Sequence, residues 1–212
     1  MVVRVVSDER PGFQAYYLRG TRSKTLLRKY VAQCAQSWVL AKHREGVRGA
    51  IMLDIDDTLI DGRETVSFGF EFMRELFTTL GVFYPIHIVT ARPDDEHGKV
   101  MQMLMKRGFC IPPDRLHMLP SHLYGKSSSH VEDFKYNCFK RIWKRHGCVV
   151  LRMGDKMWDV SDLRCLREYR GSGERGDGNG DGSLRHVSDE DCYVFSDPKM
   201  APCMSCKLPG VK

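Results

Sequence analysis

Gly49-Ala50-Ile51-Met52-Leu53-Asp54-Ile55-Asp56-Asp57-Thr58-Leu59 is the stretch on which the fold turns. It opens as a short apolar run and ends in acid. Such a run suits a strand buried on both faces of a parallel sheet, with its carboxylates delivered to the sheet's edge.

Downstream the same theme recurs. Tyr84-Pro85-Ile86-His87-Ile88-Val89-Thr90 reads as a second strand ending on a hydroxyl, and Arg115-Leu116-His117-Met118-Leu119 as a short third. Cys148-Val149-Val150-Leu151-Arg152-Met153-Gly154-Asp155 is again an apolar run that terminates in acid. Between these strands lie helical patterns. They run from Val66 to Leu80, from Asp94 to Arg107 with apolar Val100, Met103, Leu104 and Met105, and from Val131 to His146 with Phe134, Cys138, Ile142 and Trp143 on one side.

Strands alternating with helices imply right-handed crossovers and a mainly parallel sheet covered on both faces. The expected class is α/β, a Rossmann-like three-layer sandwich. Ligands in such sheets bind outside the carboxyl ends of the strands. Asp54, Thr90 and Asp155 end three of the strands, so they converge on one crevice.

Upstream, roughly the first twenty residues read as a loose lead-in with a short apolar run. From Ser23 to Arg44 apolar residues recur mostly at three- and four-residue spacing among Lys, Arg and Gln, an amphipathic helix that packs on the following domain. Residues 1–48 are therefore an N-terminal extension, residues 49–198 the α/β domain, and residues 199–212 a tail. Within the domain, Arg170–Ser183 is a Gly-rich insertion expected to form a flexible loop, and Asp191–Phe195 a further strand.

The 212 residues fit one domain with a short extra segment, and 42% hydrophobic content supports a sizeable core rather than global disorder. No stretch has the apolar length of a membrane span. The start, Met1 to Glu9, turns acidic too early for a signal peptide. The eight cysteines are scattered, several in apolar runs, which points to free thiols in an intracellular, reducing, cytoplasmic setting. A net charge of +6 leans toward a phosphorylated or polyanionic partner but is spread along the chain.

Hydrolysis of a phosphate monoester requires a nucleophile, a cation to offset the repulsion between anions, and a proton donor for the leaving oxygen. Asp54 and Asp56, two apart beyond a strand, can put one carboxylate at phosphorus and the other near the leaving group. Ile51 to Leu59 resembles the first motif of the haloacid dehalogenase (HAD) superfamily of phosphohydrolases. The resemblance implies that Asp54 is the nucleophile and Asp56 the general acid and base, with the Asp56 backbone carbonyl on Mg2+.

His87-Ile88-Val89-Thr90-Ala91-Arg92 resembles the second motif, whose hydroxyl, here Thr90, bonds the phosphoryl oxygens. Met153-Gly154-Asp155-Lys156-Met157-Trp158-Asp159 resembles the fourth, which implies Asp155 and Asp159 as Mg2+ residues. The third motif is a lone lysine that neutralises the phosphoryl group. Lys135 is the expected residue, with Lys126 and Lys140 as rivals. The resemblance covers about half the chain and is nearest the acid phosphatase and 5'-nucleotidase-like group, whose closing segment Tyr193–Met200 faintly resembles.

It implies a Mg2+-dependent hydrolase with a phosphorylated substrate, small or macromolecular, acting through an aspartyl-phosphate. The spacing from Asp54 to Thr90 leaves room for a flap but no cap domain. A nucleic-acid 3'-phosphatase of the same fold and a non-catalytic binding module stand as alternatives. Arg92 reads as a surface residue rather than a substrate contact, and Asp57 as a turn residue. Asp177–Gly182 opens like a calcium loop but has Ser188 where a bidentate Glu is required, and Cys203-Met204-Ser205-Cys206 lacks a second ligand pair. Neither is read as a metal site.

Overall fold

The structure is a computed structural model that describes residues 2–7, 14–19, 24–60, 71–156, 159, 192–196 and 204–207. Its strands are β1 (Val2–Ser7), β2 (Gln14–Arg19), β3 (Ala50–Leu53), β4 (Ile86–Pro93), β5 (Leu116–Leu119), β6 (Val149–Gly154), β7 (Cys192–Ser196) and β8 (Met204–Lys207). The helices are α1 (Lys24–Arg44), α2 (Glu71–Phe83), α3 (His97–Lys106) and α4 (Ser128–His146).

One eight-stranded sheet has the order β1-β2-β7-β8-β6-β3-β4-β5. Strands β8, β6, β3, β4 and β5 pair in parallel, whereas β1, β2 and β7 add antiparallel strands at the other edge. The α/β, Rossmann-like arrangement expected from the strand–helix alternation is what the chain forms.

Period-two patterning builds the layers. All four residues of β3 are buried, and they divide between two cores. Ile51 and Leu53 join Ile86 and Ile88 of β4 under α1, α2 and α3. Ala50 and Met52 join Val89 on the opposite face, against Cys138, Phe139 and Ile142 of α4. Successive side chains on a strand point to opposite faces, so a continuous apolar run is what a strand sandwiched between helix layers needs.

The crossovers place the site. From β3 the chain moves through α2 to β4 and through α3 to β5, then returns through α4 to β6 on the other side of β3. The strand order reverses between β3 and β6, the switch point at which such sheets leave a crevice. Leu53 lies level with Ile88 of β4 and Met153 of β6, so the next residue, Asp54, emerges beside the end of β6 while β4 runs on.

Several element bounds differ from expectation, and two segments differ in kind. The lead-in forms β1 and β2, which reach the sheet through β7, and β8 lies in the segment read as a tail. Their attachment to the sheet, β2 to β7 and β8 to β6, joins partners far apart in sequence, a tertiary determinant that local patterning does not display. β4 continues three residues beyond Thr90, and α3 starts only after a 3-10 turn at Asp94–Glu96. α4 begins at Ser128, and α2 ends at Phe83. The Gly-rich insertion, the calcium-loop resemblance at Asp177–Gly182, Cys203, the second half of the closing segment and residues 61–70 lie outside the described residues.

α1 follows the amphipathic expectation. Val31, Ala32, Ala35 and Val39 are buried, and the Trp38 indole donates to the Val150 carbonyl at 3.0 Å, tying the helix to β6. Among the described residues Cys34, Cys110, Cys138 and Cys148 are free thiols. No described helix is long and apolar enough to cross a membrane.

Candidate active site

Asp54 follows β3 directly and is buried, its backbone N–H donating to the Met153 carbonyl at 3.0 Å. Asp155 follows β6 directly and is also buried. Asp159 lies one turn further on, its N–H donating to the Lys156 carbonyl and its Oδ2 accepting from the Lys156 N–H at 3.0 Å. Gly154 makes this approach feasible, since a Cβ there would overlap the Asp159 side chain. The buried Arg152 adds a bond from Nε to the Asp159 carbonyl at 3.2 Å.

Lys135 comes to this cluster from α4 on the far face of the sheet. Its Nζ donates to Asp54 Oδ1 at 2.8 Å and to Asp159 Oδ1, and the side chain is 2% exposed. Of the three candidate lysines only Lys135 is buried. Lys126 is exposed, and the exposed Lys140 lies over the Tyr136 ring.

Charge in the cluster does not balance. Burial disfavours the Lys135 ammonium, but Asp159 and then Asp54 outweigh it, and the group is held charged with its pKa moved up. Burial pushes the Asp54 carboxyl well above the usual carboxylate range; Lys135 opposes the shift, and Asp159 and Asp155 reinforce it. Asp155 is pushed up to about 6, again first by burial and then by Asp159. The Lys135 ammonium is thus shared by Asp54 and Asp159, while the third buried carboxylate, Asp155, has the Lys156 ammonium at 3.5 Å. Uncompensated buried charge is costly, and either a proton or a further cation would relieve it here.

Oxygen atoms of Asp54, Asp155 and Asp159 lie within 4.8 Å of one another. An all-carboxylate donor set is hard and suits Mg2+, which takes oxygen ligands at short distances and retains waters. The residues present therefore fit the ion that the sequence implies.

Asp56 is not gathered with these three. The chain turns after Ile55, with the N–H groups of Thr58, Leu59 and Ile60 all directed at the Ile55 carbonyl and Asp57 in the left-handed region at φ 51°. A left-handed non-glycine residue is uncommon and is tolerated best by Asp and Asn. The buried Ile55 side chain anchors the turn on one side, and the Asp56 carboxylate goes to Arg92 on the other. Arg92 Nη2 donates to Asp56 Oδ1 at 2.7 Å and Nε to Oδ2 at 3.1 Å, a two-pronged pair.

Thr90 is fully buried in β4, its Oγ1 accepting the Arg92 N–H at 3.2 Å. The structure thus brings Asp54, Lys135, Asp155 and Asp159 together and leaves the Asp56 carboxylate on Arg92. Arg92, read as a surface residue, is part-buried and pairs with Asp56. Thr58, inside the same acidic run, is fully buried, and its hydroxyl has no hydrogen-bond partner among the described residues.

No family model matches the chain, and no curated protein matches it.

Proposed function

We propose that the chain is a Mg2+-dependent phosphomonoesterase of the HAD type, acting through an aspartyl-phosphate on Asp54. The observation that carries this reading is the bridge of Lys135 between Asp54 and Asp159 beside Asp155, at the switch point of a parallel sheet. Neither a folding core nor a passive binding face needs three buried carboxylates around one ammonium.

In the proposed reaction the Asp54 carboxylate attacks phosphorus in line, forming an acyl phosphate as the ester oxygen departs. Asp56 gives that oxygen its proton, then takes one from the water that hydrolyses the acyl phosphate, returning free Asp54 and inorganic phosphate. To reach the leaving oxygen Asp56 must exchange its contact with Arg92, so Arg92 parks the proton carrier between its two transfers. Lys135 neutralises the approach of anion to anion, and the Thr90 hydroxyl serves the phosphoryl oxygens. Mg2+ held by Asp54, Asp155 and Asp159, with the Asp56 carbonyl that the resemblance adds, would supply the remaining positive charge.

The substrate is a phosphorylated small molecule or macromolecule. One observation favours a leaving group with further negative charge, such as the 3'-phosphorylated end of a nucleic acid. An open surface depression along α3 is lined by Lys99, Gln102, Met103, Lys106 and Arg107. Arg92 Nη1 reaches Met103 Sδ at 3.7 Å, which joins this basic face to the Asp56 side of the site.

Both readings are tested by phosphate release from sugar phosphates, nucleotides, phosphopeptides and 3'-phosphorylated oligonucleotides, with Mg2+ and with chelator. Mg2+-dependent release supports the activity. Salt-sensitive preference for the oligonucleotide supports the second reading. Silence across the panel contradicts the activity and returns the chain to a binding module.

A further inference from the structure

At the other end of the same layers lies a cluster that the acidic site does not use. His87 is in β4, His117 in β5, and His146 in the last turn of α4. His87 Nδ1 is 3.0 Å from His117 Nε2, and His87 Nε2 is 2.9 Å from His146 Nε2. His87 is 1% exposed, and both its ring nitrogens contact other imidazoles. The His117 ring lies nearly coplanar with His87, edge to edge at an interplanar angle of 20°, and the His146 ring meets it at 64°.

A count of protons shows what the chain of rings can tolerate. Each contact between two ring nitrogens requires one proton, neither none nor two. Three neutral imidazoles carry three protons. Two fill the contacts and the third sits on an outer nitrogen, His117 Nδ1 or His146 Nδ1 according to the direction of the chain. One more proton fits on the other outer nitrogen and leaves both contacts intact. The next has only a contact to enter, where it sets one N–H against another.

The surroundings sharpen this limit. Burial drives the His87 value down to about 4, with His117, His146, Arg115 and Arg145 adding to it. Burial also lowers His117, with Arg141 and Arg145 reinforcing the shift and Asp114 opposing it. His146 is lowered by burial, then by Arg145 and Arg115. Asp114, the acid that faces the cluster, is already paired with Arg145 at 3.2 Å.

We propose that His117, His87 and His146 form a proton-operated clamp that fastens the C-terminal end of α4 to β4 and β5, accepting one proton and opening on the second. The clamp is independent of the proposed phosphatase reaction, although the helix it fastens also carries Lys135.

The test is ring nitrogen NMR with amide exchange on the full chain, from pH 7.5 to 4.5 in chelator to exclude bridging metals. One outer ring is expected to become imidazolium while amide protection over Cys138–His146 persists. The second proton should coincide with loss of that protection and with a His87 ring still neutral. Denaturant curves for His87→Phe and His146→Gln complete the test. Between pH 7.5 and 5 the wild-type folded-to-unfolded ratio should fall about tenfold more than in either variant. Three imidazolium rings with protection intact, or identical pH dependence in wild type and both variants, would overturn the clamp.

Discussion

Replacing Asp155 by Asn should stabilise the protein, provided divalent cations are absent and the pH is above 6. Asp155 is buried and faces Asp159, and its folded value is about 6 against an ordinary 3.8. The folded state therefore holds the proton more tightly than the unfolded state. Stability from this group is fully present below the unfolded value and is lost as pH rises through about 6. Roughly two pH units at about 1.4 kcal/mol each make the ionised carboxylate cost about 3 kcal/mol at neutral pH. Asn has the shape of the protonated acid without the charge, so the variant should recover most of that.

Denaturant titration in chelator is the assay. Near pH 4 wild type and Asp155→Asn should be within about 0.5 kcal/mol, and near pH 7.5 the variant should lead by about 2–3 kcal/mol. Added Mg2+ should reverse the order, because only wild type keeps the full donor set and gains from mass action. A variant less stable than wild type in chelator at pH 7.5, or a difference that ignores pH, would refute the reasoning.

Three further outcomes follow from the same geometry. Lys135→Met removes the ammonium shared by Asp54 and Asp159 and should cost about 3–5 kcal/mol in chelator, read as a shifted denaturant midpoint. Gly154→Ala should push Asp159 out of the cluster and weaken Mg2+ binding by calorimetry at least about tenfold, with the sheet unchanged by circular dichroism. Arg92→Ala frees the Asp56 carboxylate and, if Asp56 carries the proton, should lower kcat by about 10–100-fold and alter its pH profile, with partial rescue in Arg92→Lys.

Much of the fold was legible because its centre is local in sequence. The apolar runs of β3, β4 and β6 and the helices between them carry their own periodicity, and strand ends locate the crevice. That logic placed Asp54 and Asp155 at their strand ends, whereas Thr90 lies inside β4, which runs on to Pro93. The attachment of the β1–β2 and β7–β8 pairs was not legible, because β2 joins β7 and β8 joins β6, partners remote in the chain. Lys135 was only one of three lysines until α4 acquired a rotation, since a single residue type carries no spacing. The pairing of Arg92 with Asp56 was not legible, because the left-handed turn at Asp57 accompanies it, a backbone detail that composition does not display. His87 and His117 stand in otherwise apolar strands, and only the register of β4 with β5 and the end of α4 make them neighbours.

The central claim is that Asp54 attacks phosphorus. The measurement that tests it most directly is phosphate release by wild type and Asp54→Asn side by side, with saturating Mg2+ and the best ester from the panel. The account predicts turnover by wild type and a loss of at least about a thousandfold in a variant that remains folded. Asp54→Asn turning over at the wild-type rate would contradict it.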